Sequence, residues 1–282
     1  MKNNIGILGY PIKHSLSPKI HNFWLKSMSI NGKYRAISTP KKNLKNKINF
    51  LNNKGYKGLN LTIPHKENVL KFLDKTDNNV KITGAANTLI FVKKNKIKGK
   101  NTDIYGFEKA INKLMKNKKK ENAMVLGGGG AARAVILVLI GMKYKKILIV
   151  NRTKKNATKI KKDFIKNFSL KPRTKIICED LVNSEKFMGN VDVLINTTPL
   201  GMKGFPDLKL NIKNLKKNSA VFDLIYNPLE TKLIKQAKKR GIKNTNGLDM
   251  LIYQAQKSFY HWFKKMPKIN NKLKKLLEKE IN

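Results

Sequence analysis

Ala123-Met-Val-Leu126-Gly127-Gly128-Gly129-Gly130-Ala131-Ala132-Arg133-Ala-Val-Ile-Leu-Val-Leu-Ile140 runs from four apolar residues through four glycines into a mostly apolar stretch. Read as strand, turn and helix, it opens a dinucleotide-binding unit. Gly127 allows the tight turn, Gly129 lets backbone approach a pyrophosphate, and Ala132 is small enough for close helix–strand packing. The helix start leaves free N–H groups and a positive dipole end for the anion. A lone G-x-G-x-x-A match is weak, but a second strand, Lys146-Ile-Leu-Ile-Val150, follows at βαβ spacing.

The residues after that second strand select the cofactor. Folds that bind NAD place Asp or Glu there to accept from the ribose 2′-hydroxyl. This chain has Asn151-Arg152-Thr153-Lys154-Lys155 instead. A 2′-phosphate would meet a guanidinium, a hydroxyl and ammonium groups with no carboxylate to repel it, so NADP is expected over NAD.

Outward from this unit, short apolar runs alternate with helical patterns, the signature of a parallel sheet wrapped by helices. Strands are predicted near Ile5–Leu8, Tyr34–Ile37, Gly58–Leu61, Thr88–Val92, Ala123–Leu126, Lys146–Val150, Val191–Asn196 and Ala220–Leu224. Helices are predicted at Pro18–Met28, Leu44–Asn53, Lys66–Phe72, Ile104–Leu114, Ala131–Met142, Lys154–Asn167, Pro228–Arg240 and Asp249–Phe263. The fold class is therefore α/β. Its domains are a first unit over residues 1–103, a dinucleotide unit over 104–247, and C-terminal helices over 248–282 packing back on the first unit. Tyr253, Phe259, Tyr260, Trp262 and Phe263 on the last predicted helix read as core.

Composition limits the function classes. The 282 residues include 61 Lys+Arg against 17 Asp+Glu, a net charge of +44. Such a charge ordinarily suggests nucleic acid or an anionic membrane. Only Arg35, Arg133, Arg152, Arg173 and Arg240 are arginines, however, and readers of phosphate and bases favour the bidentate guanidinium. The lysines read as solvated surface, with no specific nucleic acid as partner. A single cysteine, Cys178, excludes an internal disulfide and a cysteine-built metal site. No metal site is expected, because His14, His21, His65 and His261 lack ligand spacing. The longest apolar run, Ala134–Ile140, is far short of the roughly 18 residues needed to cross a bilayer, and the N-terminus lacks a signal-peptide pattern, so a cytoplasmic protein without membrane partner is expected.

Four polar islands interrupt the first unit: Ser15-Leu-Ser17-Pro, Asn60-Leu-Thr62-Ile-Pro-His-Lys66, Gly84-Ala-Ala-Asn87-Thr and Gly99-Lys-Asn101-Thr-Asp103. Each borders an apolar strand segment, so they can converge at one sheet edge, where open α/β folds bind ligands. Hydroxyls and amides suit a polyol with a carboxylate. Lys66 and Asp103 are the paired acid–base candidates among them.

With these islands, Asn196-Thr-Thr-Pro-Leu-Gly-Met202, Asp223-Leu-Ile-Tyr226-Asn-Pro228 with Thr231, and Gly247-Leu-Asp-Met-Leu-Ile-Tyr-Gln254, the chain resembles the shikimate dehydrogenase family from end to end. The resemblance implies an N-terminal substrate domain completed by the C-terminal helices, with a Rossmann NADP-binding domain between. It implies NADPH-dependent reduction of 3-dehydroshikimate to shikimate, with Lys66 as acid/base and Asp103 its partner. Ser15 and Ser17 would hold the substrate carboxylate, Thr62, Asn87, Asp103 and Gln254 its ring hydroxyls, and Tyr226 would lie near it. Gly127, Gly128, Gly129, Gly130, Ala131, Asn151, Arg152 and Thr153 would bind NADP, with Met202, Leu224 and Gly247 near the nicotinamide. A homodimer stays open. The chain departs from the family at Gly128, where alanine is usual, and at Asn156, where a second phosphate-binding arginine often stands, leaving Lys154 or Lys155 as substitute charges. A sister type that accepts quinate and NAD is the nearest rival; a folate-linked dehydrogenase would have no use for Ser15, Ser17 and Gln254.

Overall fold

The computed structural model describes residues 3–93, 96–167 and 173–281. They form two compact units, one of residues through Tyr105 together with Ile252–Glu280, the other Gly106–Leu251. In chain order the first unit contains β1 (Ile5–Gly9), α1 (Ser17–Ser27), β2 (Tyr34–Ser38), α2 (Leu44–Asn53), β3 (Gly58–Leu61), α3 (His65–Asn68), β4 (Lys75–Thr76), α4 (Asn78–Thr83), β5 (Thr88–Val92) and β6 (Lys96–Lys100). The chain continues through α5 (Asp103–Leu114), β7 (Asn122–Leu126), α6 (Gly130–Gly141), β8 (Lys146–Asn151), α7 (Lys154–Asn167), β9 (Lys175–Asp180), β10 (Val193–Asn196), β11 (Ala220–Asp223), α8 (Lys232–Lys239) and β12 (Lys243–Thr245). It ends with α9 (Leu248–Phe263) and α10 (Asn271–Ile281).

The first unit's sheet has the order β2-β1-β3-β5-β6-β4. β1 pairs in parallel with β2 and β3, as the apolar runs predict, but β5 is antiparallel to both β3 and β6. The expectation of a wholly parallel sheet is therefore corrected here. β5 and β6 follow one another too closely for a crossover helix, and strands so joined pair antiparallel. β6 itself escaped prediction because Lys96-Ile-Lys-Gly-Lys buries only alternate positions, Ile97 and Gly99. Leu8, Leu44, Ile48, Leu59, Leu61 and Leu89 form the core on one side of this sheet. On α9, Phe259 packs edge-on to Trp24 at 5.9 Å, and Trp262 donates through its indole N–H to the Leu89 carbonyl at 2.8 Å. Two helices differ from their predicted extents. The α-helix predicted over Lys66–Phe72 covers only His65–Asn68 before tightening into a 3₁₀ turn at Val69–Phe72, and α8 starts at Lys232 because the Thr231 hydroxyl accepts from the Ile234 N–H and caps it there.

In the second unit all pairings are parallel, in the order β12-β11-β10-β7-β8-β9. Counted from β7 in sequence, this is the 3-2-1-4-5-6 arrangement of the dinucleotide fold. Met124, Leu126, Leu148, Val150, Leu194 and Val221 make its core with Leu233 and Ile234 of α8. β9 and β12, absent from the predicted strands, flank this sheet as its edge strands.

Candidate active site

The antiparallel pairing brings together Lys66 and Asp103, the pair expected from sequence to do acid–base work. Thr88 at the start of β5 lies opposite Asn60 near the end of β3 and opposite Lys100 at the end of β6. Asn87, Lys66 and Asp103 therefore gather at one sheet edge. Lys66 Nζ donates to Asp103 Oδ2 at 2.5 Å, and Asn87 Nδ2 donates to Asp103 Oδ1 at 2.8 Å. Asn87 Nδ2 also reaches Gln254 Oε1 at 3.3 Å, so α9 joins the same chain of contacts. The Lys66 side chain is 18% exposed and that of Asp103 6%. The ammonium thus keeps a path to a ligand, while the carboxylate works mainly through its partners.

A buried layer fixes Asn87 from behind. Its Oδ1 accepts from the Thr102 N–H at 2.7 Å and from the hydroxyls of Thr102 and Thr88 at 3.1 and 3.0 Å. Those hydroxyls and that of Ser258 lie within 2.8–3.2 Å of one another, and Asn60 Nδ2 donates to Ser258 Oγ at 3.0 Å. With its oxygen held this way, the Asn87 amide keeps one orientation, N–H toward Asp103. Of the other sequence-predicted residues, Ser15 and Ser17 stand at the start of α1, where the Ser17 N–H donates to Ser15 Oγ at 3.3 Å. Thr62 leaves the end of β3 with its N–H on the Leu8 carbonyl at 3.0 Å. His65, next to Lys66, is buried and places Nε2 2.8 Å from the Thr39 carbonyl; burial lowers its pKa against that hydrogen bond, keeping the ring a structural prop.

In the second unit, Gly127 has φ +116° and donates its N–H to the Val150 carbonyl at 2.7 Å; a methyl group there would overlap the Thr197 hydroxyl. Gly129, the N-cap of α6, has no side-chain cap and open space where a Cβ would be. The first N–H groups of α6, from Gly130 and Ala131 onward, are left for an anion, and this cradle fits a pyrophosphate. Asn151 and Asn156 lie against Gly128, and Asn151 Nδ2 donates to the Thr153 carbonyl at 3.0 Å. Arg152 is exposed and has no ion-pair partner among the described residues. Lys154 does have one: its Nζ lies 3.1 Å from Glu179 Oε1, and its N–H donates to Asp180 Oδ1 at 2.9 Å. Of the two lysines expected as substitute phosphate charges, Lys154 is committed elsewhere.

The remaining predicted residues of this unit form a second cluster. The Leu224 N–H donates to the Asn196 carbonyl and the Gly247 N–H to the Ile225 carbonyl, each at 2.9 Å, and a Cβ at Gly247 would run into the Leu224 backbone. Lys203 N–H donates to the Asn227 carbonyl at 3.0 Å, tying the turn that carries Met202 to the segment that carries Tyr226. Sequence reasoning quoted Asp223, Asn196 and Thr231 without giving them a task. Asp223, fully buried, accepts from Thr231 Oγ1 at 2.6 Å, Asn196 Nδ2 at 3.0 Å and the Ile225 N–H at 3.2 Å. Burial pushes its pKa up to about 6 against these three donors. Arg133 was likewise overlooked; it is buried on α6 and donates through Nη2 to Asp163 of α7 at 2.6 Å. Nothing in its local sequence distinguished it from the surface cations.

One unit with a parallel sheet of dinucleotide order and an open glycine cradle, and another unit with a lysine–aspartate pair among amides and hydroxyls, define a nicotinamide-dependent dehydrogenase. Comparison with known proteins narrows the class. Residues 7–89 match the family model described as the shikimate dehydrogenase substrate binding domain, and residues 109–202 that described as shikimate / quinate 5-dehydrogenase. A shikimate dehydrogenase (NADP(+)) of Methanococcus aeolicus is 40% identical over 268 residues, covering 94% of each chain. A crystal structure of a shikimate dehydrogenase in complex with NADP+ superposes with a TM-score of 0.89 at 36% identity, covering 100% of this chain and 96% of that one. A quinate dehydrogenase from Corynebacterium glutamicum in complex with NAD gives 0.87 at 25% identity, covering 98% of both. The chain belongs to the shikimate dehydrogenase family.

Proposed function

We propose that this chain catalyses the reversible NADPH-dependent reduction of 3-dehydroshikimate to shikimate, a step in aromatic amino-acid biosynthesis. The observation that carries this reading is the Lys66–Asp103–Asn87–Gln254 hydrogen-bonded chain in a member of that family. When bound, NADPH supplies a hydride equivalent to the ketone carbon. The oxygen of that carbonyl then requires a proton, and Lys66 Nζ donates it; in the reverse direction the amine takes the hydroxyl proton back. Asp103 Oδ2 holds Nζ in place, while Asn87 fixes the carboxylate's other oxygen so that it cannot rotate away. Thr62, Asn87, Asp103 and Gln254 take the ring hydroxyls, Ser15 and Ser17 the carboxylate, and Tyr226 lies near the substrate. Gly127–Ala131 would hold the pyrophosphate and Asn151–Thr153 the 2′-phosphate, with Met202, Leu224 and Gly247 the residues that would meet the nicotinamide.

Residues 1–103 with the C-terminal helices serve in this reading as the substrate unit, and 104–247 as the cofactor unit. A cytoplasmic location and a homodimer complete it, tested by cell fractionation and sedimentation. None of the helices described is long and apolar enough to cross a membrane. The deciding experiment measures cofactor reduction with shikimate and with quinate, each against NADP+ and NAD+. Fastest turnover with shikimate and NADP+ is expected. Quinate turned over as well as shikimate would overturn the substrate assignment, and equal or better use of NAD+ the cofactor assignment.

A further inference from the structure

Lys154 is one of the two lysines that could meet the extra phosphate of NADP in place of a second arginine, and the structure shows it already engaged. β8 ends at Asn151, paired in register with Asp180, so the end of β9 runs beside the Asn151–Lys155 segment. From that neighbouring strand Glu179 Oε1 holds Lys154 Nζ at 3.1 Å, and Asp180 Oδ1 holds the Lys154 N–H. The same Glu179 oxygen accepts from the Asp180 N–H at 3.2 Å, which pins the carboxylate at the strand end. Its hydrogen bond with Lys154 is the main cause that keeps its pKa below the usual carboxylate range, so the negative charge is present at neutral pH. Glu179 is the less exposed partner, 19% against 50% for Lys154. The lysine is the one drawn to its partner. Arg152 beside it has no such partner among the described residues.

We propose that Glu179 is a specificity-determining residue that holds Lys154 away from the ribose 2′-phosphate and thereby narrows the preference of this chain for NADP over NAD. The inference rests on the dehydrogenase reading above and adds to it the residue that sets how strict the cofactor choice is. Two effects act in the same direction. The carboxylate occupies the ammonium group that would otherwise meet the phosphate, and its own charge repels a dianion while leaving a 2′-hydroxyl unaffected. Because the pair is partly exposed and weak, the effect is moderate and salt-sensitive.

The test is calorimetric titration of the full chain with NADP+ and with NAD+, for the wild type, Glu179→Gln, Lys154→Ala and the double variant, at low and at physiological salt. Glu179→Gln is expected to tighten NADP+ by about three- to tenfold and NAD+ by less than about twofold. In the Lys154→Ala background the same change should give a markedly smaller gain, since only the repulsion is then relieved. A Glu179→Ala variant that shows the same selectivity shift with an unchanged melting temperature supports removal of the charge as the cause. Equal tightening of both cofactors, or no change in either, overturns the inference and leaves the dehydrogenase reading standing. A full gain with Lys154 absent also overturns it as stated, because the lysine would then have no part. Wild-type protein that binds neither cofactor would overturn the dehydrogenase reading itself, a result distinguishable from unaltered selectivity.

Discussion

Replacing Lys66 by alanine is expected to separate chemistry from binding. The Lys66 ammonium lies 2.5 Å from Asp103 Oδ2 and is the cationic group at the head of the hydrogen-bonded chain that runs through Asn87 to Gln254, so it is the group placed to deliver a proton. Losing a positioned acid costs about 10²–10⁴ in turnover, or about 3–5 kcal/mol of transition-state stabilisation. Shikimate affinity should fall far less, by under about tenfold, because Ser15, Ser17, Thr62, Asn87 and Gln254 keep their supports. The same change leaves Asp103 without its counter-charge. Breaking a fully buried pair costs several kcal/mol, but Lys66 is 18% exposed and Asp103 keeps its Asn87 hydrogen bond, so a stability loss of about 1–2 kcal/mol is expected. Three measurements check this: single-turnover rates, shikimate affinity by fluorescence titration, and urea denaturation. Added small primary amines should partly restore turnover. Near-normal turnover with lost shikimate affinity would refute the argument, since Lys66 would then be a binding residue and the proton would come from elsewhere.

Arg152→Ala should weaken NADP+ by about ten- to a hundredfold while leaving NAD+ nearly unchanged, the loss of one charge-assisted phosphate contact of about 1.5–3 kcal/mol; a wild-type-like Kd would assign the phosphate to Lys155 instead. Asp223 has a folded pKa raised to about 6 from 3.8, so its ionisation costs stability as pH rises from about 4 to 6, by about 3 kcal/mol in full. Relative to wild type, Asp223→Asn should therefore be least stable near pH 4 and catch up by pH 7, a trend that urea midpoints across this range will show or refute. His21 is fully buried, stacked on Tyr34 at 4.3 Å with no hydrogen-bond partner for either ring nitrogen among the described residues, and burial lowers its pKa to about 3, so wild type loses stability as pH falls below about 6.5. His21→Phe should flatten that acid limb; an unchanged pH profile would mean that His21 is not its source.

What could be read from the chain in advance was local. The Gly127 turn, its flanking strand and helix, and the missing acid after Val150 are neighbours in sequence, so their spacing states their geometry. The four central strands of the second unit's sheet followed, since parallel βαβ units leave few alternatives, while its edge strands β9 and β12 did not. Illegible were contacts made across long separations: Ser258 with Asn60, and Lys154 with Glu179 on the next strand. Glu179 sits in Lys175-Ile-Ile-Cys-Glu-Asp180, a strand that sequence reading missed, and only its register beside β8 brings the carboxylate to Lys154. Lysine is so abundant in this chain that no spacing could single out the one that would be paired.

The departure from the expected topology is also what builds the proposed site. In a wholly parallel sheet the residue before β5 would lie at the amino-terminal edge, a full strand length from Lys66. Because β5 runs antiparallel to β3, Asn87 comes level with the end of β3, where the Leu61 N–H donates to the Asn87 carbonyl at 2.8 Å. Because β6 reverses again, its last residue returns to the same edge, where the Asn87 N–H donates to the Lys100 carbonyl at 3.0 Å. Asp103 then follows after two residues whose side chains are buried, Asn101 and Thr102, and its carboxylate is delivered to Lys66. The β5–β6 pair, whose second strand looked too polar to be one, thus sets the Lys66–Asp103 distance. A change that shifts its register by one residue would turn Asp103 to the other face of the edge and separate the pair without touching either residue.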